Sequence, residues 1–304
     1  MSAMYRQHFG LREAPFGITP NPAFFYAGNT RGAILDALLY AVEQGEGIVK
    51  VSGEVGSGKT MLCRMLAHHL PPQVDVIYLA NPTLGRHEVA YAIAGELGID
   101  ASQRRIDEVI RLLQADLIAR HAAGKQVLLL IEEAQAMPLE TLEEIRLFSN
   151  LETARHKLLQ IVLFGQPELD AHLGLPAMRQ LKERITHNFA VPPMPPAMIA
   201  DYLAFRLQAA GHEGAPLFSD AAVAQIARVS RGIVRRINIL ADKALMAAFA
   251  DDARSVDAQH AKAAIADCKF EDARPLVSPA VALAGLAAGL VSLMFAAGLA
   301  WIAH

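Results

Sequence analysis

Gly53-Glu54-Val55-Gly56-Ser57-Gly58-Lys59-Thr60 has the spacing G-x-x-x-x-G-K-T. Glycines at those positions let the backbone turn its N–H groups toward phosphates, the lysine reaches the outer phosphates, and the threonine hydroxyl can ligand magnesium. The chemistry is binding of a nucleoside triphosphate, ATP with Mg2+. A glycine-rich turn arising by chance would not need the flanks found here: Ile48-Val49-Lys50-Val51 reads as a short buried strand, and Met61 to Leu70 suits a helix. Binding becomes hydrolysis when a magnesium carboxylate, a base that orients water and a cation for the charge on the γ-phosphate are added. Glu132 and Glu133, closing the apolar run Val127 to Ile131, fit the first two roles, Glu132 beside magnesium with Thr60 and Glu133 polarising the water. Acidic residues are also favoured at a helix N-terminus by its dipole. With a phosphate loop earlier in the chain, the catalytic reading is preferred.

These residues need a scaffold, and the chain supplies a pattern for one. Val74 to Leu79, Val127 to Ile131, Leu158 to Phe164 and a weaker stretch from Thr186 to Val191 read as further strands. Helical patterns lie between them, near Leu84 to Leu97, Ile106 to Ala122 and Leu139 to Leu151, and one precedes the first strand from Thr30 to Glu43. Continuous apolar runs mark strands buried on both faces, so the pattern predicts an α/β fold with a parallel sheet and a ligand crevice at the carboxyl ends of the strands. Pro192, Pro193, Pro195 and Pro196 then set a boundary. Beyond it come four helical patterns, about 197–210, 219–229, 232–250 and 256–267, with Ser219 and Ser255 as N-caps. Residues 9–28 are too rich in proline for a regular element and too aromatic for a disordered tail, so they are expected to pack onto the fold. The expected organisation is an aromatic and proline-rich segment with a helix over 1–46, an α/β core over 47–192, an all-α lid over 195–270 and a transmembrane helix over 276–303.

That last element rests on Leu276 to Ala303, 28 residues without a charge, against the roughly 20 that cross a bilayer core as helix. Lys262, Lys269 and Arg274 precede it and only His304 follows, which places the N-terminal bulk in the cytoplasm. Gly285 and Gly289 have the spacing that lets two membrane helices pair closely. Hydrophobic residues make up 53% of the chain, in keeping with a membrane segment. Residues 1–17 hold no apolar run of the kind a secretory signal needs. The 28 basic and 31 acidic residues leave a net charge of -3, so no basic excess points to nucleic acid. Cys63 and Cys268 have no metal-ligand spacing and read as packed thiols in a reducing compartment.

Several blocks outside the phosphate loop carry a resemblance. They are Phe9-Gly10-Leu11, Pro15-Phe16, Thr19-Pro20-Asn21-Pro22, Glu133-Ala134-Gln135-Ala136, Asn150-Leu151-Glu152-Thr153 and Phe164-Gly165-Gln166-Pro167-Glu168-Leu169. Over residues 1 to about 270 the chain resembles the AAA+ ATPases of the general secretion pathway protein A group, and within it those of mannose-sensitive haemagglutinin pilus biogenesis. The resemblance implies ATP hydrolysis at subunit interfaces of a homo-oligomer, at the bacterial inner membrane. It also implies partners among the assembly proteins of a type IV pilus or type II secretion-like machine. It gives Gln166 the role of sensor 1, Arg184 that of an arginine finger reaching a neighbour's site, and Arg235 that of sensor 2 on the lid. The residues alone leave Arg179 and Arg236 open for the arginine roles. The group usually has aspartate where this chain has Glu132, and secretion-type members continue into a peptidoglycan-binding domain, which favours the pilus-type comparison. Two other readings stand beside this one: a nucleotide-gated scaffold with weak hydrolysis, and a DNA-handling ATPase of the transposition type, since Arg228, Arg231, Arg235 and Arg236 cluster.

Overall fold

A computed structural model describes residues 2–268, apart from 46, 80, 154 and 155, together with residue 270. The chain enters through α1 (Ser2–His8) and the aromatic, proline-rich stretch, then forms α2 (Arg31–Gln44). Strands and helices alternate from there: β1 (Ile48–Ser52), α3 (Lys59–His69), β2 (Val74–Leu79), α4 (Glu88–Glu96), α5 (Ile106–Ala122), β3 (Gln126–Ile131), α6 (Leu139–Phe148) and β4 (Leu159–Gly165). The short helices α7 (Pro167–Leu173) and α8 (Arg179–Arg184) lead to β5 (Ile185–Ala190). After the prolines, α9 (Ile199–Ala209), α10 (Asp220–Ser230), α11 (Val234–Ala250) and α12 (Ala258–Asp267) complete the described helices.

The sheet is parallel throughout, in the order β2-β3-β4-β1-β5. Because strand side chains alternate between faces, Ile48, Leu129, Ile131, Ile161 and Leu163 enter one apolar cluster with α4, α5 and α6. Val49, Val51, Leu128, Leu130, Val162 and Phe164 enter the other, with α2 and α3. The order puts β1 between β4 and β5, so the loop after β1 opens beside the end of β4, and the Gly53 amide donates to the Gly165 carbonyl at 3.2 Å.

The aromatic segment packs on the later helices. Arg206 of α9 is buried and donates to the carbonyls of Pro15 (2.6 Å) and Gly17 (3.3 Å) and to the Tyr202 hydroxyl (3.0 Å). Its guanidinium lies 4.7 Å from the Phe24 ring centre, a cation–π contact strengthened by desolvation. Farther up, the Tyr5 hydroxyl of α1 meets Asp242 of α11; burial and that carboxylate push the tyrosine up to about 12. Helix α1 has no counterpart in the sequence reading, since seven residues without a clear apolar period give little signal. The expected cap at Ser219 is present, its oxygen accepting from the Ala222 amide at 3.3 Å. The cap expected at Ser255 falls instead to Asp257, whose carboxylate accepts from the amides of Gln259 (2.8 Å) and His260 (3.2 Å). Among the described residues no helix is long and apolar enough to cross a membrane, and the span expected at 276–303 lies outside them.

Core and helical part meet at a backbone joint. Gly232 sits at φ +76° and its carbonyl accepts from the Met194 amide at 2.8 Å; a Cβ there would lie 2.2 Å from the Met194 carbonyl oxygen. Neither the conformation nor the space admits a side chain. Gly232→Ala should lower the unfolding free energy of the full chain by about 3 kcal/mol, read from the urea midpoint; a midpoint equal to the parent's would remove the joint from the stability account.

Candidate functional site

The loop from Gly53 to Thr60 bends with two residues in left-handed conformations, Gly56 at φ +77° and Gly58 at φ +105°. Gly58 precedes the first turn of α3, so the amides there face outward from a helix N-terminus, the arrangement that holds anions. Lys59 is buried, and its Nζ donates to the carbonyls of Gly53 (2.7 Å) and Glu54 (3.0 Å). Burial holds its ammonium below the usual lysine range; the carboxylates of Glu133, Glu54, Glu132 and Glu168 oppose that only in part. Val55, at the tip, is exposed.

The lid reaches the loop through backbone. At the start of α11, the Arg235 amide donates to the Gly56 carbonyl at 3.0 Å, and a Cβ on Gly56 would lie 2.6 Å from the Arg235 Cβ. Between the two lies a cavity of about 290 Å³. Ile18, Phe24, Phe25 and Tyr26 form an apolar wall, Tyr202, Val234, Arg235 and Asn238 face it, and Gly58, Lys59, Thr60 and Glu133 close the phosphate end. An aromatic base and a polyphosphate would find matching ends in it.

Glu133 occupies a left-handed conformation at φ +52°, unusual for a residue with a side chain. Its Oε2 accepts from Gln135 Nε2 (2.7 Å) and from Gln166 Nε2 (2.8 Å), while Gln135 Oε1 accepts from the Gln166 amide (2.9 Å). Burial raises this carboxyl, but the two amide donors and Lys59 together outweigh it and hold the group below the ordinary glutamate range. It is therefore ionised and held in place by two amide donors. Glu132 lies on the other side of the β3 terminus, with Oε2 accepting the Tyr78 hydroxyl and Oε1 buried without a partner.

The structure thus joins Gly53 to Thr60 with Glu133, Gln166 and Arg235. Arg184 is elsewhere. It ends α8 and is exposed, immediately before β5, whereas the phosphate loop follows the last residue of the parallel strand β1. About six residues of strand, roughly 20 Å, separate those two ends of the sheet. There Arg184 lines a polar concavity with Arg146, Arg179, Gln180 and Glu183, in which Arg179 pairs with Glu183 at 2.9 Å. Arg236, the other candidate for a lid role, does not line the cavity beside the loop.

Arg31 escaped the sequence reading. It is buried at the start of α2 and donates to the carbonyls of Ser57 (3.1 Å) and Pro192 (3.4 Å), bracing the loop from behind. An arginine beginning a helical pattern gives no sign of facing inward. Gln135 is different: it stands two residues after Glu133 and could have been weighed as its hydrogen-bond partner.

Residues 42–173 match the family model described as an AAA domain. The chain is 42% identical over 251 residues to general secretion pathway protein A of Aeromonas hydrophila, covering 81% of this chain and 45% of that protein. It is 32% identical over 126 residues to the Mu-like prophage FluMu DNA transposition protein B of Haemophilus influenzae, covering 41% of each. The chain therefore spans less than half the length of these curated relatives. Among solved structures, the ORC2 protein of Aeropyrum pernix in its ADPNP and ADP complexes superposes with a TM-score of 0.63 at 14% identity, over 86% of this chain and 72% of that one. The RuvB branch migration motor of Thermotoga maritima gives 0.52 at 17%, over 80% and 70%. At these identities the likeness is one of fold.

The paired amides at Glu133 generate a test. Gln166→Leu removes one donor to the carboxylate, so the Glu133 pKa should rise toward the ordinary glutamate range. A carbon-detected NMR titration of the side-chain carboxyls, assigned by loss of the resonance in Glu133→Gln, reads the shift; an unmoved midpoint contradicts the assigned bond.

Proposed function

We propose that this chain, an ATPase built on an AAA domain, hydrolyses ATP at sites shared between copies of itself and uses the cycle to support assembly of a cell-envelope machine. The observation that carries this is the Glu133 carboxylate, held by Gln135 and Gln166 at the phosphate end of the cavity that contains Lys59. In this reading the amides of Gly53 to Thr60 cradle the phosphates and Lys59 neutralises the outer ones. Glu133 takes the proton of the attacking water while Gln166 keeps both in line, and Arg235 brings a lid charge to the γ-phosphate. Magnesium fits the donors present. Glu132 Oε1 is a buried carboxylate oxygen without a partner, and Thr60 supplies a hydroxyl at the start of α3. Two hard oxygens completed by phosphate and water suit that ion; when bound, it would offset charge building on the phosphates.

Arg184 is the cation such a site still needs, and its place at the other end of the sheet is what supports a homo-oligomer. A neighbour would present it to the phosphates. The relative from Aeromonas hydrophila, named for general secretion, supports a role at the envelope. We extend that to inner-membrane anchoring through residues 276–303 and to service of a type IV pilus or type II secretion-like assembly, with pilus and secretion proteins as partners. The prophage transposition relative favours a second reading, action on DNA. Against it stands the placement of Arg235, which lines the nucleotide cavity rather than an outer basic face. A salt-dependent mobility shift of duplex DNA by the full chain would restore that reading.

Lys59→Ala should abolish nucleotide binding, and Glu133→Gln should bind nucleotide yet turn over at least a hundredfold more slowly. Arg184→Ala alone should lose about a thousandfold in rate. Mixing Arg184→Ala with Glu133→Gln chains should return activity, because the first keeps a whole site and the second lends its arginine. Two inactive variants that stay inactive on mixing would overturn sharing of the site while leaving hydrolysis itself intact.

A further inference from the structure

Glu132 stands where aspartate is usual in the group this chain resembles, and its side chain carries one more rotatable bond. A longer carboxylate is a looser metal ligand unless something fixes it. The neighbouring edge strand supplies a fixing group. Tyr78 of β2 is in register with Leu130, two residues before Glu132, and its hydroxyl donates to Glu132 Oε2. That leaves Oε1 buried and unpartnered, while Tyr78 as a residue is 38% exposed. A buried carboxylate oxygen lacking a donor costs free energy unless a cation or water meets it. Here one oxygen is tethered and the other is spare, the division expected of a single-oxygen metal ligand steered from behind.

We infer that Tyr78 is a positioning residue for the metal: by holding Glu132 Oε2 it aims Oε1 at the magnesium that accompanies the nucleotide, and so allows glutamate to replace aspartate. This rests on the reading of Glu132 as the magnesium carboxylate. With the tether in place the ligand approaches in one geometry; without it the carboxylate samples several. An aspartate, having one bond fewer to fix, would not need the tether.

Mn2+ bound to the full chain with ADP, followed by electron paramagnetic resonance, reports metal affinity without turnover. Tyr78→Phe keeps the ring and removes only the hydroxyl, and it should weaken Mn2+ affinity about tenfold. Binding of a fluorescent ADP in EDTA should be unchanged by it. Glu132→Asp should retain Mn2+ affinity within a few fold, and adding Tyr78→Phe to Glu132→Asp should change nothing further. The inference is overturned if Tyr78→Phe leaves Mn2+ affinity at the parent value while Glu132→Ala abolishes it, or if Tyr78→Phe weakens metal-free ADP binding equally. It is also overturned if the tyrosine substitution costs as much beside Asp as beside Glu. If Glu132→Ala itself leaves Mn2+ affinity intact, the underlying magnesium assignment fails instead.

Discussion

The Gly56 carbonyl accepting the Arg235 amide is the contact on which the site depends. A phosphate loop works only if its amides point into the cavity, and a loop of glycines has many other conformations open to it. Anchoring one carbonyl from outside removes those alternatives. The anchor comes from the first turn of α11, and the absence of a Cβ on Gly56 is what lets Arg235 approach so closely. Behind the loop, Arg31 bonds the Ser57 carbonyl and, more weakly, that of Pro192. The loop is thus braced by the helix before the sheet and by the helical part after it.

Those braces tie the two ends of the cavity together. Arg206 fastens the aromatic segment to α9 through two carbonyls and a ring, while Arg64 of α3 donates to the Pro20 carbonyl at 2.9 Å and Phe25 packs on the core cluster, so the apolar wall is tied to both parts. The Met194–Gly232 bond and the Arg235–Gly56 bond hold the same helical part against the core at two points. Lys59 adds to this bracing from within, since its bonds to the Gly53 and Glu54 carbonyls lie inside the same loop.

The strands and most helices follow from apolar runs and periodicity, because burial on both faces leaves a plain mark in sequence. Val127 to Ile131 is the clearest case: five consecutive apolar residues, each buried in the structure. The phosphate loop was equally legible, as its chemistry demands fixed residue types. What sequence leaves dark are polar residues whose value lies in direction. Arg31 looks like the solvated start of a helix, and Tyr78 like one more β-former on an alternating strand; only three dimensions turn one toward Ser57 and the other toward Glu132. The cap at Asp257 was missed for a similar reason, since serine and aspartate two residues apart offer the same chemistry and only the local backbone chooses between them.

The position of Arg184 follows from topology more than from its own surroundings. In a parallel sheet, the residue before one strand and the residue after its neighbour lie at opposite ends. Arg184 precedes β5 and the phosphate loop follows β1, and these two strands are paired directly. Leu181 of α8 is buried in the core cluster beside β4, so α8 is not free to swing across the sheet edge. If Arg184 meets a γ-phosphate at all, that phosphate must sit in another copy, and each site is then whole only where two copies touch.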